Sequence, residues 1–157
     1  MTLTASPTRQ QRYLTLALRH VTAVKNANDK TMADIYGGLC YTFPVLVRTC
    51  GLCQAIAFVE AKARSETRTP TARNSAYQHL RTHIKEQLGL QVGTQAGELA
   101  SAVANTRVTT YMRYTRTVLQ AWAYYKRFAA SVLDVETAPV RNPDEEAHSP
   151  RVAGAVS

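Results

Sequence analysis

Three constellations in this 157-residue chain have the residue types and spacing for chemistry. Cys50 and Cys53 are separated by two residues, the spacing of a redox pair or of half a zinc site. His79 and His83 stand four apart, which on a helix puts both imidazoles on one face, within reach of a metal ion. Arg113, Arg116, Gln120, Tyr124 and Arg127 recur at steps of 3, 4, 4 and 3, with Lys126 beside them. On a helix those steps align three guanidiniums, an amide and an aromatic ring along one ridge, a chemistry suited to phosphate.

The elements that must position these groups decide among the chemistries. A thioredoxin-like pair needs a strand running into a helix, and the pattern around Cys50 and Cys53 is helical on both sides. They therefore read as two small buried thiols at a helix joint, and a thiol enzyme or redox sensor is the rival reading. Cys40 could be a third zinc ligand, but no second close pair supplies a fourth. His79 and His83 flank the apolar stripe of their own helix among Arg81, Lys85 and Glu86, so a solvated face is expected there. No HExxH, no nucleophile elbow and no glycine-rich loop after a strand occurs. The sequence thus predicts no enzyme, no catalytic residue, no metal and no cofactor.

Charge points toward the ridge. The formal net charge is +8, but five acids against two arginines in residues 134–157 leave +11 on residues 1–133. Fourteen of the 19 basic residues are arginine, whose planar fork matches phosphate. No acid interrupts the run between Glu98 and Asp134. A solvated helix would interleave Glu for i, i+4 pairing, whereas an uninterrupted basic ridge repels itself until phosphate relieves it. The competing reading is an assembly adaptor whose basic ridge meets acidic protein.

Hydrophobic periodicity predicts an all-α fold, a single-domain bundle of about six helices. A first helix over 8–28 buries Leu14, Leu18, Val21 and Val24, widened by Tyr13 and Ala17. A second runs through Met32, Ile35, Tyr36, Leu39 and Phe43, with Gly37 and Gly38 giving room for another helix. Pro44 should kink or restart it, and Gly51 offers a further break. Phe43–Lys62, the most apolar stretch, contains Arg48, read either as capping carbonyls inside this joint or as reaching nucleic-acid phosphate across the surface. Helices follow to about Arg64, over 72–88, over 95–105 and over 107–134, the last with a stripe from Val108, Tyr111 and Met112 to Leu133. Residues 1–7 are expected to be a flexible N-terminus, 8–134 the helical domain, and 135–157 a disordered acidic, Pro-containing tail. No membrane span or leader is apparent, which predicts a soluble cytoplasmic protein.

Two long segments carry a family resemblance. Phe43–Ala63, FPVLVRTCGLCQAIAFVEAKA, is similar to the Pro-Val-Leu-(Ile/Val)-Arg-Thr-x-Gly-Leu-x-Gln-Ala signature of the small helical subunit of type III-B CRISPR RNA-guided effector complexes. Tyr111–Val132, YMRYTRTVLQAWAYYKRFAASV, resembles that family's Tyr-x-Arg-x-Thr-Arg helix ending in Lys-Arg-Phe-Ala. Gln11-Arg12 through Ala17-Leu18, and Asp34-Ile35-Tyr36-Gly37, fall in matching order, so the resemblance spans about residues 8–133. Cys50 and Cys53 depart from it at a usual Asn and Gly, and Thr117 stands where an acid is common. The resemblance implies a non-catalytic subunit that stacks head to tail in a filament, beside backbone and large subunits. It also implies contact with guide RNA and target RNA through phosphate, with Arg113, Arg116, Lys126 and Arg127 as leading candidates. Arg12, Arg19, Arg48 and Lys62 are secondary ones.

Overall fold

Local capping signals set most helix boundaries. Thr8 accepts the Gln11 N–H at 3.2 Å while Gln11 takes the Thr8 N–H at 2.7 Å, a capping box that opens α1, Arg9–Asn26. Asp29 accepts from the Met32 N–H at 3.0 Å and starts α2, Lys30–Cys50. Then come α3, Leu52–Ala63, and α4, Ala72–Leu88, the latter opened by a Thr71–Asn74 capping box and closed by left-handed Gly89. A short α5, Glu98–Ala104, and a long α6, Val108–Val132, complete the order. The structure, a computed structural model, describes residues 5–65 and 67–135, and no strand occurs among them. Residues 1–4 of the expected flexible N-terminus, and the expected tail from residue 136, lie outside the described residues.

α6 packs along α1 and α2, α4 fills the space between α2, α3 and α6, and α5 rests on α3. Trp122, Tyr36, Tyr125, Ile56, Leu80 and Ile84 are fully buried where these helices meet. No helix among the described residues is long and apolar enough to cross a membrane.

Several expectations about faces are corrected. Of the two outcomes expected at Pro44, a restart does not occur: α2 continues through it to Cys50. A proline inside a helix costs about 3 kcal/mol, and here burial of the Pro44 ring together with Phe43 and Val47 offsets it. α1 is rotated from its expected face, with Tyr13, Ala17, His20, Val21 and Val24 buried and Leu14 and Leu18 exposed. The polar ring of His20 finds partners inside, which a purely apolar pattern does not register. Val108 and Met112 are exposed as well, so the buried stripe of α6 begins later than expected. Gly37 gives close approach to Val135, just beyond α6, rather than to another helix: a Cβ there would lie 2.5 Å from that side chain.

The α2–α3 joint turns on Gly51, not on its cysteines. Gly51 has φ 87° and ψ 162°, a region open essentially to glycine alone. Its N–H donates to Val47 O and its carbonyl accepts from Ala55 N, both at 3.0 Å, so one residue closes α2 and opens α3. The Tyr111 hydroxyl of α6 accepts the Cys53 N–H at 3.3 Å and ties the joint to the long helix. Cys50, expected to be buried, is exposed, and Cys53 is half-buried. Gly51→Ala is expected to destabilise the protein by about 1–3 kcal/mol, read as a lower Tm. Cys50→Ala beside it should change stability by less than about 0.5 kcal/mol. Equal Tm values for wild type and Gly51→Ala would show that the joint tolerates a side chain.

Candidate nucleic-acid interface

On α6 the buried residues are Val118, Ala121, Trp122, Tyr125 and Ala129. At about 100° per residue, Arg113, Arg116, Gln120 and Arg127 fall on the opposite side. All four are exposed, and Tyr124 between them is half-buried. The Arg113 guanidinium lies 5.9 Å from the ring centroid of Tyr114. None of the three arginines forms an ion pair among the described residues. Lys126 is not on the ridge: it is half-buried on the side toward α2, whose Tyr41 hydroxyl donates to the Lys126 carbonyl at 3.1 Å.

The ridge continues into a groove of about 510 Å³ between α1, the end of α4 and the first turns of α6. Arg9, Arg12 and Arg113 line it together. Arg12 thus joins Arg113, and Arg9 was not among the sequence candidates, although its spacing of three from Arg12 was the available signal. The Tyr13 hydroxyl donates to Thr117 Oγ1 at 3.2 Å and fastens α1 to α6 at this point. Thr117 therefore serves the helix contact without adding negative charge. Glu86 is the acid of the groove, and it is engaged by His20 and by Arg19 at 3.5 Å. Arg19, a secondary candidate, is thereby partly neutralised.

The other secondary candidates lie elsewhere. Arg48 is exposed in the last turn of α2, not enclosed in the joint, and its charge suits the negative end of that helix. Lys62 is on α3, with its ammonium 5.7 Å from the centroid of the Phe58 ring. Among the described residues no group of three or more His, Cys, Asp and Glu could hold a metal ion.

Beneath the groove, a polar network joins the helices that shape it. His20 of α1 contacts Glu86 through Nε2 and lies 2.6 Å from the Tyr125 hydroxyl through Nδ1. A neutral imidazole satisfies both by donating to the carboxylate and accepting from the phenol. Gln87 Nε2 also donates to the Tyr125 oxygen, at 3.2 Å. His83, expected on a solvated face, is only 4% exposed. It stacks on His20 with ring centroids 4.0 Å apart, and its Nδ1 lies 2.6 Å from the Tyr36 hydroxyl. α4 has neighbours on several sides, so a position that flanks its stripe is buried too.

Burial holds His83 well below the ordinary value of 6.5, helped by the neighbouring His20 and His79. Burial also lowers His20, against the opposing pull of Glu86, and lowers His79. The unfolded chain therefore binds more protons than the folded one as pH falls through 6.5. Stability is complete above that pH and is lost below it, by up to about 1.4 kcal/mol per pH unit for each histidine. Thermal unfolding is expected at a constant Tm near neutrality and at a falling Tm between about pH 6.5 and 5, above the carboxylate range. A Tm unchanged down to pH 5 would contradict the buried neutral pair.

The comparisons with known proteins agree with this architecture. The family model described as CRISPR-associated protein (Cas_Cmr5) matches residues 9–132. No curated protein matches the chain. The crystal structure of a CRISPR-associated Cmr5 family protein from Thermus thermophilus is similar, with 31% identity and a TM-score of 0.61. The match covers 83% of this chain and 100% of that one. With a matched family model over nearly the whole helical domain and a like fold, the chain belongs to the Cmr5 family of CRISPR-associated proteins, subunits of the Cmr complex in CRISPR defence.

Proposed function

We propose that the chain is a non-catalytic structural subunit of a type III-B effector complex, stacked head to tail in a filament and holding RNA by its phosphates. The observation that carries this reading is the ridge itself. Arg113, Arg116 and Arg127 are exposed along one helix, with no acid in sequence between Glu98 and Asp134 and no ion pair among the described residues. Such an array is self-repelling, and a polyphosphate backbone relieves it while guanidinium forks supply bidentate hydrogen bonds. Arg9 and Arg12 extend the array through the groove, while Lys126 and Arg19 contribute less because of their side placement and ion pairing. Contact by phosphate leaves sequence choice to guide–target pairing, so guide RNA and target RNA are the nucleic-acid partners. Backbone and large subunits of the cytoplasmic complex are the protein partners.

Exposed Leu14 and Leu18 favour a second reading, an assembly adaptor without direct RNA contact. One experiment separates the two. RNA affinity of the assembled complex, titrated with salt, should show a log–log slope of about −2 to −3 from this subunit's three or four phosphate contacts. Arg113→Glu with Arg116→Glu should reduce that slope by about 1 to 1.5. Impaired assembly, with an unchanged slope in the fraction of complex that still forms, establishes the adaptor reading.

A further inference from the structure

Phe58 and Lys62 of α3, with Arg73 and the buried Tyr77 ring of α4, lie off the α6 ridge, and of the four only Lys62 is an RNA candidate. Val45 of α2 and Phe58 of α3 are 56% and 43% exposed. Both line a groove of about 570 Å³ between α2, α3 and α4, together with Leu46, Val59 and Leu80. Large apolar side chains left in water around an apolar concavity mark a docking surface. Its rim is cationic: the Arg73 guanidinium lies 6.0 Å from the Tyr77 ring centroid, as Lys62 lies over Phe58. The two rings meet edge to face at 6.2 Å. Neither cation forms an ion pair among the described residues, and no acid lines the groove.

We propose that this groove docks an apolar segment of a different protein subunit, one that carries carboxylates beside its apolar anchors to meet Lys62 and Arg73. The inference rests on the chain being a subunit of the Cmr complex. RNA fits the groove less well. The hydroxyls of Tyr41, Thr42 and Thr49 donate to the carbonyls of Lys126, Leu39 and Val45 at 3.1, 3.5 and 2.8 Å, which uses the hydrogens they would donate to base edges. Lys62 and Arg73 lie against the rings on which a base would stack. A second copy of this chain fits less well too. Among the described residues its exposed large apolar side chains outside the groove, Leu14, Leu18, Val108 and Met112, are neighboured in sequence by Arg12, Arg19, Arg107 and Arg113, which repel Lys62 and Arg73. Pairing groove to groove sets Lys62 and Arg73 against their own copies.

The test uses the guide-loaded complex reconstituted with a benzophenone amino acid in place of Val45. Irradiation should join position 45 to another protein subunit, at an apolar segment bearing Asp or Glu. Val45→Asp with Phe58→Asp should reduce incorporation into the complex by about tenfold or more, while thermal unfolding confirms that the isolated variant folds. Lys62→Glu with Arg73→Glu should do the same in part, and carries the test should the first pair fail to fold. Cross-linking to RNA, to a second copy, to residues after Val135 of the same chain, or to nothing overturns the proposal. So does full incorporation of the folded variants. Failure of the phosphate reading would appear in the salt slope of Arg113 and Arg116 variants and would leave this cross-link intact.

Discussion

Helix α6 can adopt only one rotation about its own axis in this bundle. Trp122 stacks on Tyr125 with ring centroids 4.3 Å apart, and Phe43 of α2 packs against Trp122 at 5.1 Å. Burying an indole of that size is worth roughly 4–6 kcal/mol from area alone. The Tyr125 hydroxyl then meets His20 of α1, so apolar burial and a hydrogen bond select the same orientation. With the stripe from Val118 to Ala129 fixed inward, helical geometry leaves Arg113, Arg116 and Arg127 facing out. The proposed RNA surface is therefore set by the core, and no loop has to be ordered to form it.

A buried ion pair performs a comparable service at the other end of the bundle. Glu60, 2% exposed, accepts from Arg81 Nε at 2.9 Å and from the N–H groups of Gly97, Leu99 and Ala100. Arg81 Nη2 donates to the carbonyls of Gly93 and Gln95. A buried charge is tolerable only when its hydrogen-bonding capacity is filled in this way. The pair fixes the path of residues 93–97 and the seat of α5 on α3, where apolar contact is limited by the shortness of α5. The ion pair thus specifies where the chain goes, while the aromatic core supplies most of the stabilisation.

Much of this was legible in the sequence, and the exceptions share a cause. α4 was expected over 72–88 and occupies those residues, because Thr71, Asn74 and Gly89 are local signals that act wherever the helix lies. The alignment of Arg113, Arg116 and Arg127 is likewise a matter of spacing along one helix. The errors concern which side of a helix meets its neighbours. Leu14 and Leu18 looked like core because they are apolar, yet the face that turned inward carries His20. Its partners, Glu86 and Tyr125, are 66 and 105 residues away. Spacing alone puts His83 in solvent for the same reason, and the apolar sequence neighbours of Cys50 put it inside, whereas the structure buries His83 and exposes Cys50. The local cost of Pro44 is legible in the sequence, whereas its burial beside Phe43 and Val47 is not. The groove containing Arg9, Arg12 and Arg113 depends on three helices meeting, which one-dimensional spacing does not record.

A cryo-electron microscopy structure of the guide-loaded complex bound to target RNA tests the central claim most directly. The account predicts the guanidiniums of Arg113 and Arg116 at about 3 Å from phosphate oxygens, with the outward face of α6 running beside the RNA backbone. Finding that face covered by another protein chain, or turned to solvent away from the RNA, would contradict it.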